Sequence, residues 1–325
     1  MIIDEELAGW ISDREAQRAT QARVDDCARR WRQDEVHRRF SAALADPAVV
    51  DADTVVEAVL KLFADHGWVD DLIARLGEGL RTDPFFDPPF ASMSTDIHSG
   101  LLVYEDSKVS IGVGVTRADE LAAKKNVVRG RVSIGFTGQV SILKFLSAGD
   151  AFLSFWEAPE ITAAFTGAEA GRCRRTGGRT VADGELLLCD GRRQSYVIEH
   201  ARSNMVMLQA TVKTDQAPLS VEYDSVSHEF VGCSATSDVS SRIQMMTTLL
   251  RKLGDGRAFE AVAPFLAHED FFVRWHVMRE LLGIDAAAAL PHLERMAAGD
   301  PHPDNRSAAA EVLTRFPALD KRKAA

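Results

Sequence analysis

In the middle of the chain, the side chains able to hold a metal are His98, His200 and His228, with Glu105, Glu199 or Glu222 as the carboxylates that could join them. A non-haem iron or zinc centre needs three inward-facing ligands, commonly histidine with carboxylate, at about 2.0–2.2 Å. The spacing brings no such set together. Residues 98–183 contain no H-x-H or H-x-D pair, and His98 is their only histidine. The expectation is therefore no metal and no cofactor. The alternative is a metal-dependent site with dispersed His and Glu ligands. Other catalytic signatures are missing. "IGVGVT" has G-x-G but no further glycine and no following helix, as a dinucleotide loop requires. "HEDFF" begins like a zinc-protease motif, but Phe272 stands where its second histidine belongs. No G-x-S-x-G occurs. Cys189 lies in an apolar strand run, where a thiol is structural and inert.

Binding chemistry is better represented. Arg172, Arg174, Arg175, Arg179, Arg192 and Arg193 concentrate positive charge in an acidic chain. The guanidinium fork matches carboxylate or phosphate through two parallel hydrogen bonds. Arg192, Arg193, Gln194 and Tyr196, with Trp156 and Tyr223, form the candidate ligand-binding set for a small anion or an acidic peptide. The competing reading of the arginines is a pair of solvated loops. Phe271, Phe272, Trp275 and His276 could anchor a partner, although packing inside a helical array is the simpler role. Met205, Met207, Met245 and Met246 read as fillers of core gaps.

The bulk properties bound these readings. The chain has 325 residues, is 46% hydrophobic and carries a formal net charge of -10, which suits two or three compact units. Such acidity disfavours nucleic acid and anionic membrane as partners. No run of about 18 apolar residues marks a membrane span. Four cysteines without a CxxC pair, and no leader-like N-terminus, lead to the expectation of a cytoplasmic protein with reduced thiols.

Three segments must position the candidate residues, giving an α+β multidomain chain. Residues 1–89 show helical spacing at Val24, Cys27, Ala28, Trp31, Val36, Phe40 and Leu44. About three helices are expected there, one of them opened by Thr54 as N-cap with Glu57 completing a capping box. Residues 90–237 change to period two, as in Val109, Ile111, Val113 and Val115. Roughly ten short strands predict an antiparallel β sandwich or jelly roll. Residues 238–325 return to helix and repeat with a period of about 30 residues. Pro264 aligns with Pro291, Leu266 with Leu293, Arg274 with Arg306, Leu281 with Leu313, and Asp270 with Asp304. The register is inexact around "GDPHPD".

The middle segment resembles the cupin family in its AraC-sensor-like form, most closely in "GELLLCDGRRQSY", Gly184 to Tyr196. Gly184 and Glu185 fit the opening of the family's second motif, and Asp190 and Gly191 its turn. The family's metal-binding histidine falls on Gln194 or Ser195. The resemblance thus implies a cupin-like barrel, and the departure from it implies one that has given up its metal. The C-terminal pattern resembles HEAT-like repeats. Together they lead to the expectation of a non-catalytic binding protein that recognises a peptide, a protein or a small anionic ligand. The alternative is a cupin-type, iron-dependent oxygenase. A short repeat array is also expected to pack against other parts of the chain.

Overall fold

In the computed structural model, which describes residues 5–127, 133–254 and 256–315, aspartates start most of the N-terminal helices. Helix α1 is Glu5–Ser12. Asp13 accepts from the Glu15 and Ala16 amides to open α2, Arg14–Gln33. Asp34 accepts from Val36 to open α3, Glu35–Ala45. Asp51 opens α4, Ala52–Ala64, and α5 is Trp68–Thr82. The α4 start corrects the reading of Thr54 as N-cap. Asp51 accepts from the Thr54 amide and Thr54 Oγ1 accepts from the Asp51 amide, so Thr54 is the third helical residue of the box and Glu57 has no part in it. Aspartate is the better cap, and its charge suits the positive helix end. Among the described residues there are five helices here rather than three.

Among the described residues twelve strands and one helix follow. They are β1 (Ala91–Ser94), β2 (His98–Glu105), β3 (Val109–Thr116), α6 (Ala118–Val127), β4 (Ser133–Phe136), β5 (Val140–Ser147), β6 (Phe152–Glu157) and β7 (Arg174–Thr180). Then come β8 (Leu186–Asp190), β9 (Gln194–His200), β10 (Met205–Val212), β11 (Leu219–Asp224) and β12 (Phe230–Ala235). The strands form sheets ordered β1-β2-β3-β10-β5-β8, β7-β6-β9 and β12-β11-β4. In the six-stranded sheet every pairing is antiparallel.

The described residues gather into two units. The first holds α1–α6 and the strands of the six-stranded and β7-β6-β9 sheets. Period-two alternation gives the large sheet two apolar faces. Val109, Ile111 and Val113 of β3 and Leu208, Ala210 and Val212 of β10 pack with Trp31, Phe40, Val55, Phe63, Trp68 and Leu72 from the helices. The alternate residues Met205 and Met207, with Leu143 and Phe145 of β5, pack with Leu153 of β6 and Tyr196 and Ile198 of β9. The unit is thus a helical layer on a strand-rich double sheet. Met205 and Met207 fill the core as expected, whereas Met245 and Met246 are exposed.

The second unit joins the β12-β11-β4 sheet to the C-terminal helices. These are α7 (Asp238–Leu253), α8 (Ala258–Val262), a 3-10 turn at Ala263–Ala267, α9 (Phe271–Ile284), α10 (Ala286–Gly299) and α11 (Pro303–Thr314). Val262, Val273, Val277, Met278, Leu281, Leu293 and Ala309 form their core, and Phe272 and Trp275 pack against it. No described helix is long and apolar enough to cross a membrane.

The arginine repeat is real at the level of hydrogen bonds. Arg274 Nη1 donates to the carbonyls of His268 and Glu269, six and five residues before it. Arg306 Nη1 donates to Asp300 and Pro301, again six and five residues before it. That register makes His302, the N-cap of α11, the counterpart of Asp270, the N-cap of α9. The sequence alignment of Asp270 with Asp304 is therefore two residues out. The prolines differ too: Pro264 lies in the 3-10 turn and Pro291 inside α10.

Candidate binding sites

The β8–β9 turn brings Arg192, Arg193 and Gln194 together, but around a carboxylate of their own chain. Arg192 Nε donates to Asp190 Oδ1 at 2.8 Å and its Nη2 to Oδ2 at 3.0 Å. Arg193 Nε lies 3.4 Å from the same carboxylate. Burial pushes the Asp190 carboxyl up, but hydrogen bonds and charge from the arginines outweigh it and hold the group below its ordinary value. Gln194 Oε1 accepts from the Asp190 amide at 3.3 Å. An incoming anion would have to displace Asp190. Three more arginines of the cluster are likewise paired: Arg172 with Glu229, Arg174 with Glu157, and Arg179 with Glu185.

The aromatic members are each packed or bonded within their own unit. Tyr196 packs in the inter-sheet core, where burial pushes its phenol upward. Trp156 is buried, and its Nε1–H donates to Ser154 Oγ at 3.0 Å. Tyr223 belongs to the second unit, where it is fully buried and donates to the Ala170 carbonyl at 2.7 Å. Burial pushes its phenol up to about 12. Cys189 is buried, with its thiol raised to about 12 first by desolvation and then by Asp190, as fits a structural thiol.

The dispersed metal set is not assembled. His98 lies over Gly114, where an added Cβ would meet its ring at 2.5 Å, and its Nδ1 is 3.1 Å from Thr116 Oγ1. His200 stacks on Phe152. His228 is in the second unit. Glu105 is bound by Lys213, and Glu199 by Lys125 and Ser154. Among the described residues no three His, Cys, Asp or Glu side chains are grouped to hold a metal ion.

Two cavities offer more. In the first unit a groove of about 1100 Å³ runs between α5 and the end of the large sheet. Its floor includes a cross-strand row, Ser94–Ser99–Val115–Val206–Ser147, that spans five strands. The lining is mostly apolar, with Asp70 as its one charged residue. No cation among the described lining residues would receive an anion.

In the second unit a cleft of about 970 Å³ runs along the α9 and α11 starts. Its wall is built on the buried pair of Arg274 and Asp300. Arg274 Nε and Nη2 reach the two Asp300 oxygens at 2.9 and 2.7 Å. Asp300 also accepts from the His302 amide and from Asn305. Burial raises the Asp300 carboxyl, and these donors more than reverse it. Small and apolar residues, among them Ala263, Leu266, Ala267 and Met296, share the lining with His268, Glu269 and Asp270. Arg295 stands in it with Nη2 2.9 Å from His292 Nδ1. The His292 ring is held below its ordinary pKa by burial and then by Arg295, which favours its neutral form.

His302 is the residue in this cleft with unused capacity. Its ring lies face to face with Phe271, centroids 3.6 Å apart, and it is only 5% exposed. Its Nδ1 accepts from the Asp304 amide, capping α11. The ring proton must then sit on Nε2. That N–H is buried and has no partner among the described residues, a state that costs about 1–3 kcal/mol. The sequence reading passed over Asp300 and His302, treating "GDPHPD" as extra residues. The signal was present: a polar residue directly before proline marks a helix start.

Residues 234–314 match the family model for HEAT repeats, so the C-terminal helices are HEAT-like. Comparison with curated proteins found no match. Among solved structures the chain is similar to ectoine synthase from P. lautus, at 15% identity over 38% of this chain and 69% of that one, with a TM-score of 0.24. It is similar to a cupin domain from Bordetella pertussis Tohama I, at 10% identity over 38% and 99%, with a TM-score of 0.22. A third is an HTH_3 family transcriptional regulator from Vibrio cholerae, at 8% identity over 58% and 94%, with a TM-score of 0.22. Overlaps this loose carry no argument about activity.

Proposed function

We propose that the chain is a non-catalytic interaction protein whose HEAT-like unit takes a peptide segment of a partner protein into the cleft beside His302. The observation that carries this reading is the unsatisfied His302 Nε2–H in a cleft whose lining also offers small and apolar groups such as Ala263, Leu266, Ala267 and Met296. A peptide carbonyl or carboxylate would satisfy that donor, and small side chains would fill the space against Leu266 and Met296. HEAT repeats serve protein interactions in general, which agrees with the family match over 234–314. A small free anion is the weaker reading, because Asp190 already occupies Arg192 and Arg193.

Selection of phage-displayed random peptides against the whole chain tests this. The expected winners carry an acceptor flanked by small apolar residues. Arg295→Glu and Met296→Glu should each weaken their binding by about tenfold or more, or about 1.4 kcal/mol. His302→Asn should weaken it too without unfolding the helix, since asparagine can still cap α11. No enrichment, or peptides indifferent to all three substitutions, would remove the cleft from the function.

A further inference from the structure

Helix α7 carries an apolar arc that runs well past the face it buries. Its inner side sets Ile243 and Leu250 against the core of the second unit and buries Ser240 and Thr247. Its outer side exposes Val239, Met245, Met246, Leu249 and Leu253, at 62%, 64%, 56%, 47% and 69%. Val239, Met246 and Leu253 fall seven residues apart with Leu249 between them, the spacing of a helix-packing seam. The outer seam is richer in large apolar groups than the inner one. A helix whose apolar arc extends beyond its buried face can take a second layer, and α7 is also the first helix of the repeat array, where a solenoid needs either a polar cap or another layer.

We infer that a second copy of this chain supplies the missing layer, through an antiparallel α7–α7 pairing about a two-fold axis near Met245 and Met246. Charge selects both occupant and direction. Exposed Asp238 stands at the start of α7 and exposed Lys252 at its end. Antiparallel pairing sets each Asp238 near the Lys252 of the other copy and opposes the helix dipoles favourably. Parallel pairing would set like charges together. Val239 at one end then faces the region of Leu253 at the other, and the methionines adapt to one another at the centre. Arg242, also exposed on this side, can lay its stem along the seam with its head in water. This surface is separate from the cleft of His302.

Light scattering and analytical ultracentrifugation of the whole chain read the association. The expected mass is twice 35.6 kDa, falling to one chain in the Met246→Glu, Leu249→Glu variant with its helical circular dichroism unchanged. Asp238→Lys and Lys252→Asp alone should each weaken association by about tenfold, and the two together should restore it. In a Cys233→Ser background, Met246→Cys should cross-link to its own copy on oxidation and Val239→Cys should not, since only the axis brings like positions together. A single-chain mass at every concentration overturns the inference. So does a dimer indifferent to the glutamates, a charge swap that fails to restore association, or Val239→Cys cross-linking as readily as Met246→Cys.

Discussion

Arg274→Ala is expected to destabilise the HEAT-like unit by about 3–5 kcal/mol, the cost of leaving one partner of a buried ion pair uncompensated. Arg274 is 8% exposed and Asp300 7%. The substitution removes both guanidinium contacts to Asp300 and also strips the donor from the His268 and Glu269 carbonyls. Denaturant unfolding measures the loss. Asp300→Ala combined with Arg274→Ala should cost less than the two single losses added, because the stranded charge is gone. The pH dependence has a fixed sign. The folded Asp300 carboxyl is held below its ordinary value of 3.8, so its stabilisation is present above that value and is lost as pH falls through the lower, folded one. The gap between wild type and Arg274→Ala should therefore narrow on strong acidification. A gap that widens, or a loss under about 1 kcal/mol, would mean that the pair is solvated like an ordinary surface bridge.

Trp31→Ala should cost the first unit a comparable amount, about 3–5 kcal/mol. Trp31 is 5% exposed and packs with Trp68 and Phe90, ring centroids 5.9 Å away in each case. Its indole also does something no aliphatic residue can do. The β2–β3 register slips between Leu102 and Tyr104, leaving Val103 outside the paired ladder. Trp31 Nε1–H donates to that Val103 carbonyl at 2.8 Å. Trp31→Phe keeps most of the packing and strands the carbonyl, so it should cost about 1–3 kcal/mol. Thermal unfolding separates the two variants. Equal losses would show that packing alone matters and that the bulge carbonyl finds another donor.

The parts of the fold written in local periodicity were legible in the sequence. The alternation from Val109 to Val115 is that of β3, and Val109, Ile111 and Val113 do face the core. The repeat arginines were also legible, because Arg274 and Arg306 bond equivalent carbonyls of the preceding turn. Long-range pairing was not. β4 pairs with β11, Phe136 opposite Val221, and no local pattern announces a partner so distant in the chain. That pairing places Tyr223 in the second unit, whereas Arg192 belongs to the first. The charge of the arginines was readable, but not the carboxylates that Arg172, Arg174, Arg179, Arg192 and Arg193 bond. The cleft histidine escaped for another reason. Its chemistry depends on which ring nitrogen caps α11, and that is a matter of geometry rather than composition.

Hydrogen exchange of the whole chain, with and without a selected peptide at saturating concentration, tests the binding cleft most directly. Protection on binding is expected at the amides of residues 264–274 and 299–306, the segments that line the cleft, and should be lost in Arg295→Glu. Protection confined to residues 184–196, or to the apolar groove at residues 92–103 and 113–115, would contradict a recognition site in the repeats and move it to the strand-rich unit.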